Sequence, residues 1–387
     1  MKKLLTILLF FLPSLLVMSQ NIEDLEFGTD STFEVMTWNL EFFPTNGQTT
    51  LDYVSQIIQA LEVDVIAVQE IDDYQKFIEL LEGLDGWEGI AINSGYLNLG
   101  YIYNSEFVQM SSIYQIYPDK SRELPRKPLI MEIIFNGNEY ILINNHLKCC
   151  GDGIMNSADP WDEETRRYDA CVLIDEYIEA NFPDKNVILL GDLNDLLTDN
   201  ESNNVFQVFI DDPENYLFTD MAIAEGSSSN WSYPSWPSHI DHLMISNELF
   251  DEFNDEASVI TTIKIDDYLE GGFWEYEQNV SDHRPVAFKF MPQPGSAGFG
   301  GFNQNTKYLH ITPNPFREKT TITFDSFDEN TVIQIFNFSG QLIEDAKLEK
   351  GQSSFDWFAN GHLPGIYYIS LKTNNGIFAS KKVVLLK

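Results

Sequence analysis

Basic residues are scarce. The 387-residue chain carries 23 Lys and Arg against 60 Asp and Glu, a formal net charge of -37. That deficit excludes a binder that works through a broad basic surface releasing counterions from phosphates. It leaves room for a phosphate-cleaving enzyme that recruits divalent cations, because a bound metal inverts the field felt by an anion. Cysteine is scarcer still, with only Cys149, Cys150 and Cys171, too few for a disulfide scaffold. Two readings of them stand side by side. Either Cys149 or Cys150 bridges to Cys171, an easier geometry than a strained ring between neighbours, or Cys171 is a small buried hydrophobe on the helical stripe of Ile174 and Ile178. Long apolar runs are absent apart from Leu4 to about Met18, which follows Lys2 and Lys3. This run is too short and too early for an anchor, and residues 1–19 read as a secretory signal peptide ending at Val17-Met18-Ser19. The mature chain is therefore expected to lack a transmembrane segment and to be a soluble monomer.

What is present is material for a core, 43% apolar and 13% aromatic residues, which argues against disorder. From Phe33 to about Met291, short apolar runs alternate with amphipathic stretches. Leu51, Val54, Ile57, Ile58 and Leu61 recur at helical spacing with Thr50 as the expected cap, Phe77, Leu80 and Leu81 mark another helix face, and a further helix is expected at about Glu164–Asn181. Val63–Val68, Ile130–Phe135, Tyr140–Asn145, Asn186–Leu190, Ile240–Ile245 and Val286–Phe290 read as buried strands. The interleaving predicts a layered α/β domain over residues 20–292. Residues 293–307 form a Gly/Pro/Ser-rich linker expected to decouple the C-terminal segment from that domain. Beyond it, strand-like runs at Thr320–Phe324, Thr331–Asn337, Gly365–Lys372 and Lys381–Leu386, with Ser339-Gly340 and Asn375-Gly376 turns, predict a small all-β sandwich at 308–387.

Six polar clusters border the predicted strands: Thr37-Trp38-Asn39-Leu40-Glu41, Val68-Gln69-Glu70-Ile71, Asn144-Asn145-His146-Leu147-Lys148, Gly191-Asp192-Leu193-Asn194-Asp195, Ser238-His239-Ile240-Asp241-His242 and Ser281-Asp282-His283-Arg284-Pro285. Each alone is more often a turn than a site. As an ordered set they resemble the endonuclease/exonuclease/phosphatase superfamily, in its deoxyribonuclease-like branch.

The resemblance implies a four-layer α/β sandwich, two face-to-face β-sheets flanked by helices, with one active site at the strand ends. It implies metal ligands at Asn39, Glu41, Glu70 and Asp282 for Mg²⁺ or Mn²⁺, with Ca²⁺ as an alternative. Hard oxygen donors of this kind suit such ions. Asp192 and Asn194 match the pair that positions the attacking water and holds a phosphate oxygen. His283 matches the proton-transfer histidine and Asp241 its orienting partner. His146 matches a second histidine that contacts the phosphate or protonates the leaving group, and Arg126 a recurring substrate-side arginine. His239 and His242 are expected only to pack or face solvent. Of the loop Trp231, Tyr233, Trp236, packing is the plain reading and stacking on a base or head group the alternative.

Ile311-Thr312-Pro313-Asn314-Pro315-Phe316, Ile335-Phe336-Asn337-Phe338-Ser339-Gly340-Gln341, Pro364-Gly365-Ile366-Tyr367-Tyr368 and Lys381-Lys382-Val383-Val384 resemble the type A sorting domain of type IX secretion. That implies passage through the periplasm, an outer-membrane secretion machinery as partner, and a secreted or cell-surface destination. The combined expectation is a secreted phosphodiesterase, an extracellular nuclease. A sphingomyelinase-like phospholipid phosphodiesterase or a phosphomonoesterase is the alternative within enzymes, and a non-catalytic surface binding protein the alternative outside them.

Overall fold

The structure is a computed structural model and describes residues 21–29, 31–93, 95–292, 309–324, 331–337, 342–359, 361–373 and 376–386. The expected signal peptide, the linker and the Ser339-Gly340 turn lie outside these residues, as does Asn375.

Strands whose two faces are both apolar must be covered on both sides, and this dictates the layering. The strands are β1 Phe33–Phe43, β2 Val65–Ile71, β3 Trp87–Ala91, β4 Asn98–Asn104, β5 Val108–Gln115, β6 Leu129–Phe135, β7 Asn138–His146, β8 Asn186–Asp192, β9 Tyr216–Phe218, β10 Asp241–Ser246, β11 Val259–Thr262 and β12 Val286–Phe290. They form two six-stranded sheets, ordered β11-β12-β1-β2-β4-β3 and β5-β6-β7-β8-β10-β9. Each has one parallel pair, β1 with β2 and β7 with β8.

Side-chain alternation sorts the residues. On β1, Val35 points between the sheets, whereas Met36, Trp38 and Leu40 join the outer cluster beneath helices α1 (Gln48–Leu61) and α2 (Tyr74–Glu82). On the other sheet, Leu142, Ile188, Leu190, Leu243 and Ile245 face inward, and Ile141, Ile143, Val187 and Leu189 pack under helix α3 (Glu163–Asn181) with Ile174 and Ile178. The result is the four-layer sandwich expected. Thr50 does not cap α1. The cap is Gly47, and the Thr50 hydroxyl accepts from the Asn46 amide in the first turn. All three cysteines are free, and Cys171 is buried among the α3 core residues as a plain hydrophobe. No helix among the described residues is long and apolar enough to cross a membrane.

The tail is all-β: a three-stranded sheet, β13 (Leu309–Thr312), β14 (Lys319–Phe324) and β17 (Ser354–Phe358), and a four-stranded sheet, β16 (Leu342–Leu348), β15 (Thr331–Asn337), β18 (Gly365–Thr373) and β19 (Gly376–Leu385). Ile322, Ile335, Trp357, Ile369 and Leu371 fill the space between them. The tail is not decoupled from the sandwich. On β18, Tyr367 and Ile369 face the tail's own core, while Ile366 and Tyr368 join the inter-sheet core of the larger unit. The Tyr368 hydroxyl donates to the Gly89 carbonyl on edge strand β3 at 3.0 Å. A strand apolar on both faces finds cover on both, and the linker's composition carried no trace of that contact.

Candidate active site

The same alternation aims the polar motif residues. Asn39 follows Val35 and Thr37, His146 follows Leu142 and Asn144, Asp192 follows Ile188 and Leu190, and Asp241 precedes Leu243 and Ile245, so all four end inward-facing rows. Sheet register then brings them together, since Asp192 pairs with His146 on one side and Asp241 on the other. The site opens at the C-terminal ends of the two parallel pairs, the usual ligand position for such strands.

Glu70 breaks its row. Alternation would send it outward with Val68, but it has φ +60°, and β1 is irregular between Asn39 and Phe43, where Glu41 and Phe42 have φ +38° and +48°. Left-handed backbone at three non-glycine residues is the kind of irregularity that re-aims side chains at functional sites. The outcome is a bridge between sheets. Asn39 Nδ2 donates to Glu70 Oε1 at 3.2 Å and to Asp192 Oδ2 at 2.9 Å, and the Phe42 amide donates to Glu70 Oε2 at 3.1 Å. Gly191, before Asp192, has φ +150°, and a Cβ there would lie 1.9 Å from the Asn145 carbonyl oxygen, so only glycine fits.

His283 Nδ1 donates to Asp241 Oδ2 at 2.8 Å, which leaves Nε2 toward Asp192 Oδ2 at 3.9 Å and Asp282 Oδ1 at 3.8 Å. His146 Nε2 lies 3.5 Å from Asp192 Oδ2 and 3.8 Å from Glu70 Oε1. The Asn194 amide donates to Asp192 Oδ1 at 3.1 Å, and the Asp282 amide donates to Glu41 Oε2 at 3.1 Å. Every expected residue therefore belongs to one cluster except Arg126, which has no direct contact with it. Arg126 is nonetheless near enough for its charge to act on His146 and for the Asp192 and Glu70 carboxylates to act on it.

Crowded, half-dry carboxylates set the electrostatics. Burial pushes Asp192 up to about 7 against the opposing pull of His283. Burial and then Asp282 push Glu41 up to about 7, and burial raises Asp282. For His283, burial disfavours the charge, but the Asp241 carboxylate, helped by Asp192 and Asp282, holds it at about 10. Burial, reinforced by Arg126 and His283, holds His146 well below the usual histidine range. One histidine is thus kept charged and the other neutral. Glu70, His146 and Asp192 offer ligand atoms within 4.8 Å of one another, as do Asp192, Asp241 and His283. Arg126 Nε, His146 Nδ1 and Asp241 Oδ1 are buried with no protein partner. Excess negative charge, oxygen donors and unpartnered polar atoms fit a cation and an anionic ligand.

Other residues support the cluster, some of them expected only to pack and others not singled out in the sequence. Tyr233 stacks on His283 with ring centroids 4.7 Å apart, which gives one aromatic of its loop a packing role, whereas Trp236 is 78% exposed. The Ser281 hydroxyl donates to the Asn39 carbonyl and accepts from the His283 amide. His239 and His242 are fully buried: His242 Nδ1 lies 2.6 Å from Asp220 Oδ2 and its Nε2 lies 2.9 Å from the Asp195 carbonyl, while His239 Nε2 lies 3.0 Å from the same carboxylate. This buried cluster packs behind the site, on the outward face next to Asp241. Arg167 on α3 donates to Asp195 Oδ2, Lys148 O and Cys150 O, each at 2.7 Å. Only long-range pairing reveals Asp220 and Arg167, and no short motif contains them.

No curated protein matches the sequence. Among solved structures, D. rerio TDP2 complexed with single strand DNA product is similar at 16% identity, covering 67% of this chain and 99% of that one, with a TM-score of 0.52. A humanized D. rerio TDP2 with 14 mutations is similar at 15% identity, covering 67% and 99%, with a TM-score of 0.50. At such identities the likeness concerns the fold. Residues 310–386 match the secretion system C-terminal sorting domain, the type IX sorting domain, which marks the protein for export to a secreted or cell-surface location. Residues 36–283, which carry all the clustered side chains and every strand of the two sheets except β12 and the first residues of β1, match the model of the Endonuclease/Exonuclease/phosphatase family, whose members are hydrolases that generally depend on divalent metals, and the chain belongs to that family.

Proposed function

We propose that the protein is a secreted, divalent-metal-dependent phosphodiesterase that acts on extracellular nucleic acid. The carrying observation is that Asn39 joins Glu70 of one sheet to Asp192 of the other, beside His146 and the Asp241–His283 pair. In-line attack on a phosphoester needs a placed nucleophile, charge neutralisation and a proton for the leaving oxygen.

In this reading Glu70 and Asn39, with Asp282 and Glu41 beside them, hold Mg²⁺ or Mn²⁺. The bound cation supplies charge neutralisation at the phosphoryl oxygens. Asp192 accepts from and orients the attacking water, and Asn194, fixed by the hydrogen bond that its backbone amide donates to Asp192, contacts a phosphate oxygen. Asp241 fixes the His283 ring through Nδ1, so the charged ring presents Nε2–H to a phosphoryl or leaving oxygen. His146, kept neutral, and Arg126, with an unpartnered Nε, complete the anion cradle.

A phospholipid phosphodiesterase is the second reading. Ile154 and Trp161 are 60% and 65% exposed on the loop between β7 and α3, as a membrane contact would require. The acidic Asp152, Asp159 and Asp162 on that loop speak against an anionic surface. Purified protein offered plasmid DNA, RNA, sphingomyelin and a simple phosphomonoester with Mg²⁺ or Mn²⁺ separates the readings. Nucleic acid is expected to be the substrate cleaved, and exclusive turnover of sphingomyelin or of the monoester would replace this assignment.

A further inference from the structure

The segment leaving β7, Leu147 to Gly153, is held at many points although it has no secondary structure. Asn194 Nδ2 donates to Leu147 O at 3.3 Å, Arg167 holds Lys148 O and Cys150 O, and the Gly153 amide donates to Glu164 Oε1 at 2.7 Å. Gly151 has φ +115°, and a Cβ there would meet Glu164 Oε1 at 2.1 Å, so the chain is drawn tightly onto α3. Within this clamp Cys150 adopts φ +72° and its sulfur lies 2.9 Å from that of Cys149. An S–S bond measures about 2.05 Å, so closure needs less than ~1 Å of approach. Cys150 is exposed and Cys149 half-buried, with Lys148 Nζ at 3.7 Å from the Cys149 sulfur. Cys171 is only 2% exposed in the α3 core, closed to an external oxidant.

We propose that Cys149 and Cys150 are a modification site, oxidised to a vicinal disulfide when the chain enters an oxidising compartment. The oxidant is a protein or small-molecule disulfide. The exposed Cys150 sulfur attacks it, forming a mixed disulfide and releasing one thiol, and the Cys149 sulfur then displaces the second thiol. The two cysteines lose two protons and two electrons, and the oxidant's disulfide is reduced to two thiols. Neighbouring Cα atoms are about 3.8 Å apart across a trans peptide, short of the usual disulfide span, so the ring is strained and readily reduced. The sorting tail sends the chain where such a bond persists. The ring stiffens the segment that joins His146 to the Arg167 anchor.

The test is peptide mapping by mass spectrometry of the full chain recovered from an oxidising periplasm and alkylated without reduction. The expected result is a peptide containing 149 and 150 that is unalkylated and lighter by two hydrogens than the dithiol, and that takes two alkyl groups after reduction. Cys171→Ser keeps this result, and Cys150→Ser yields a single alkylation at Cys149. Two alkylated cysteines before reduction, or a cross-linked peptide containing Cys171, would overturn the proposal. Neither outcome depends on which phosphoester the enzyme cleaves.

Discussion

In the proposed function, the proton-transfer chemistry rests on the pair of His283 and Asp241, joined by one hydrogen bond of 2.8 Å. His283→Ala and Asp241→Asn are each expected to lower turnover on the order of 10²-fold or more, with a double variant well short of the product. Steady-state kinetics of the three variants checks this, and strictly multiplicative losses would show that the two residues act separately. At the opposite end of the sheet, Glu34 and Asp64 form a buried acid pair, with the Glu34 amide donating to Asp64 Oδ2 at 3.0 Å. Burial, and for Asp64 also its contact with Glu34, raises both carboxyls above the ordinary range. The folded state therefore binds more protons than the unfolded chain, and this contribution is lost as pH rises above the ordinary carboxylate range. Asp64→Asn cannot ionise, so urea titrations at pH 5 and pH 9 should show it gaining roughly 1–3 kcal/mol on wild type at the higher pH. An unchanged difference would contradict shared protonation. At this scale the sequence was legible where chemistry sits in short motifs, as for Asn39, Asp192 and His283. It was silent on Glu70's left-handed turn and on Asp220, whose partners are more than twenty residues away in the case of His242 and nineteen in the case of His239.

Among the elements, α3 does more than cover a sheet. Its Arg167 is buried and ties Asp195, Lys148 and Cys150 to the helix, with Glu164 Oε1 at 3.2 Å from Nη2. Arg167→Ala leaves the Glu164 and Asp195 carboxylates buried and uncompensated. A loss of about 3–5 kcal/mol in urea unfolding is expected, together with weakened substrate binding, since the Leu147–Gly153 segment adjoins His146. Wild-type stability in the variant would remove α3 from the support of the site. The strands flanking the site were readable because burial on both faces demands unbroken apolar runs, as at Val65–Val68 and Val187–Leu190. Strands β3, β4 and β5 went unread. Gly89 and Gly100 leave gaps in the pattern because backbone approaches there, with a Cβ at Gly89 lying 2.7 Å from the Tyr101 carbonyl oxygen. On β5 most residues are half-exposed, so no clean period survives. In the tail, β16 and β17 carry charges at exposed positions and likewise went unread.

The molecule as a whole joins an endonuclease/exonuclease/phosphatase-family domain to an export tail, and the two touch. Ending the chain near Met291 removes Ile366 and Tyr368 from the inter-sheet core, each worth roughly 1.5–3 kcal/mol of burial. The shortened protein is expected to keep its turnover, because no clustered side chain lies beyond His283, but to melt several degrees lower in a thermal scan. An unchanged melting point would deny the contact, and lost turnover would make the tail part of the active site. The central claim is that the cluster at the strand ends hydrolyses phosphodiesters through a divalent cation held at Glu70, and the decisive measurement is cleavage of single-stranded and plasmid DNA by wild type and Glu70→Gln across a titration of Mg²⁺ or Mn²⁺ in metal-stripped buffer. Wild type should be inactive under excess chelator and restored by added metal, and the variant should need far more metal for a lower plateau. Full cleavage by wild type in excess chelator, or an identical metal response from Glu70→Gln, would contradict the account.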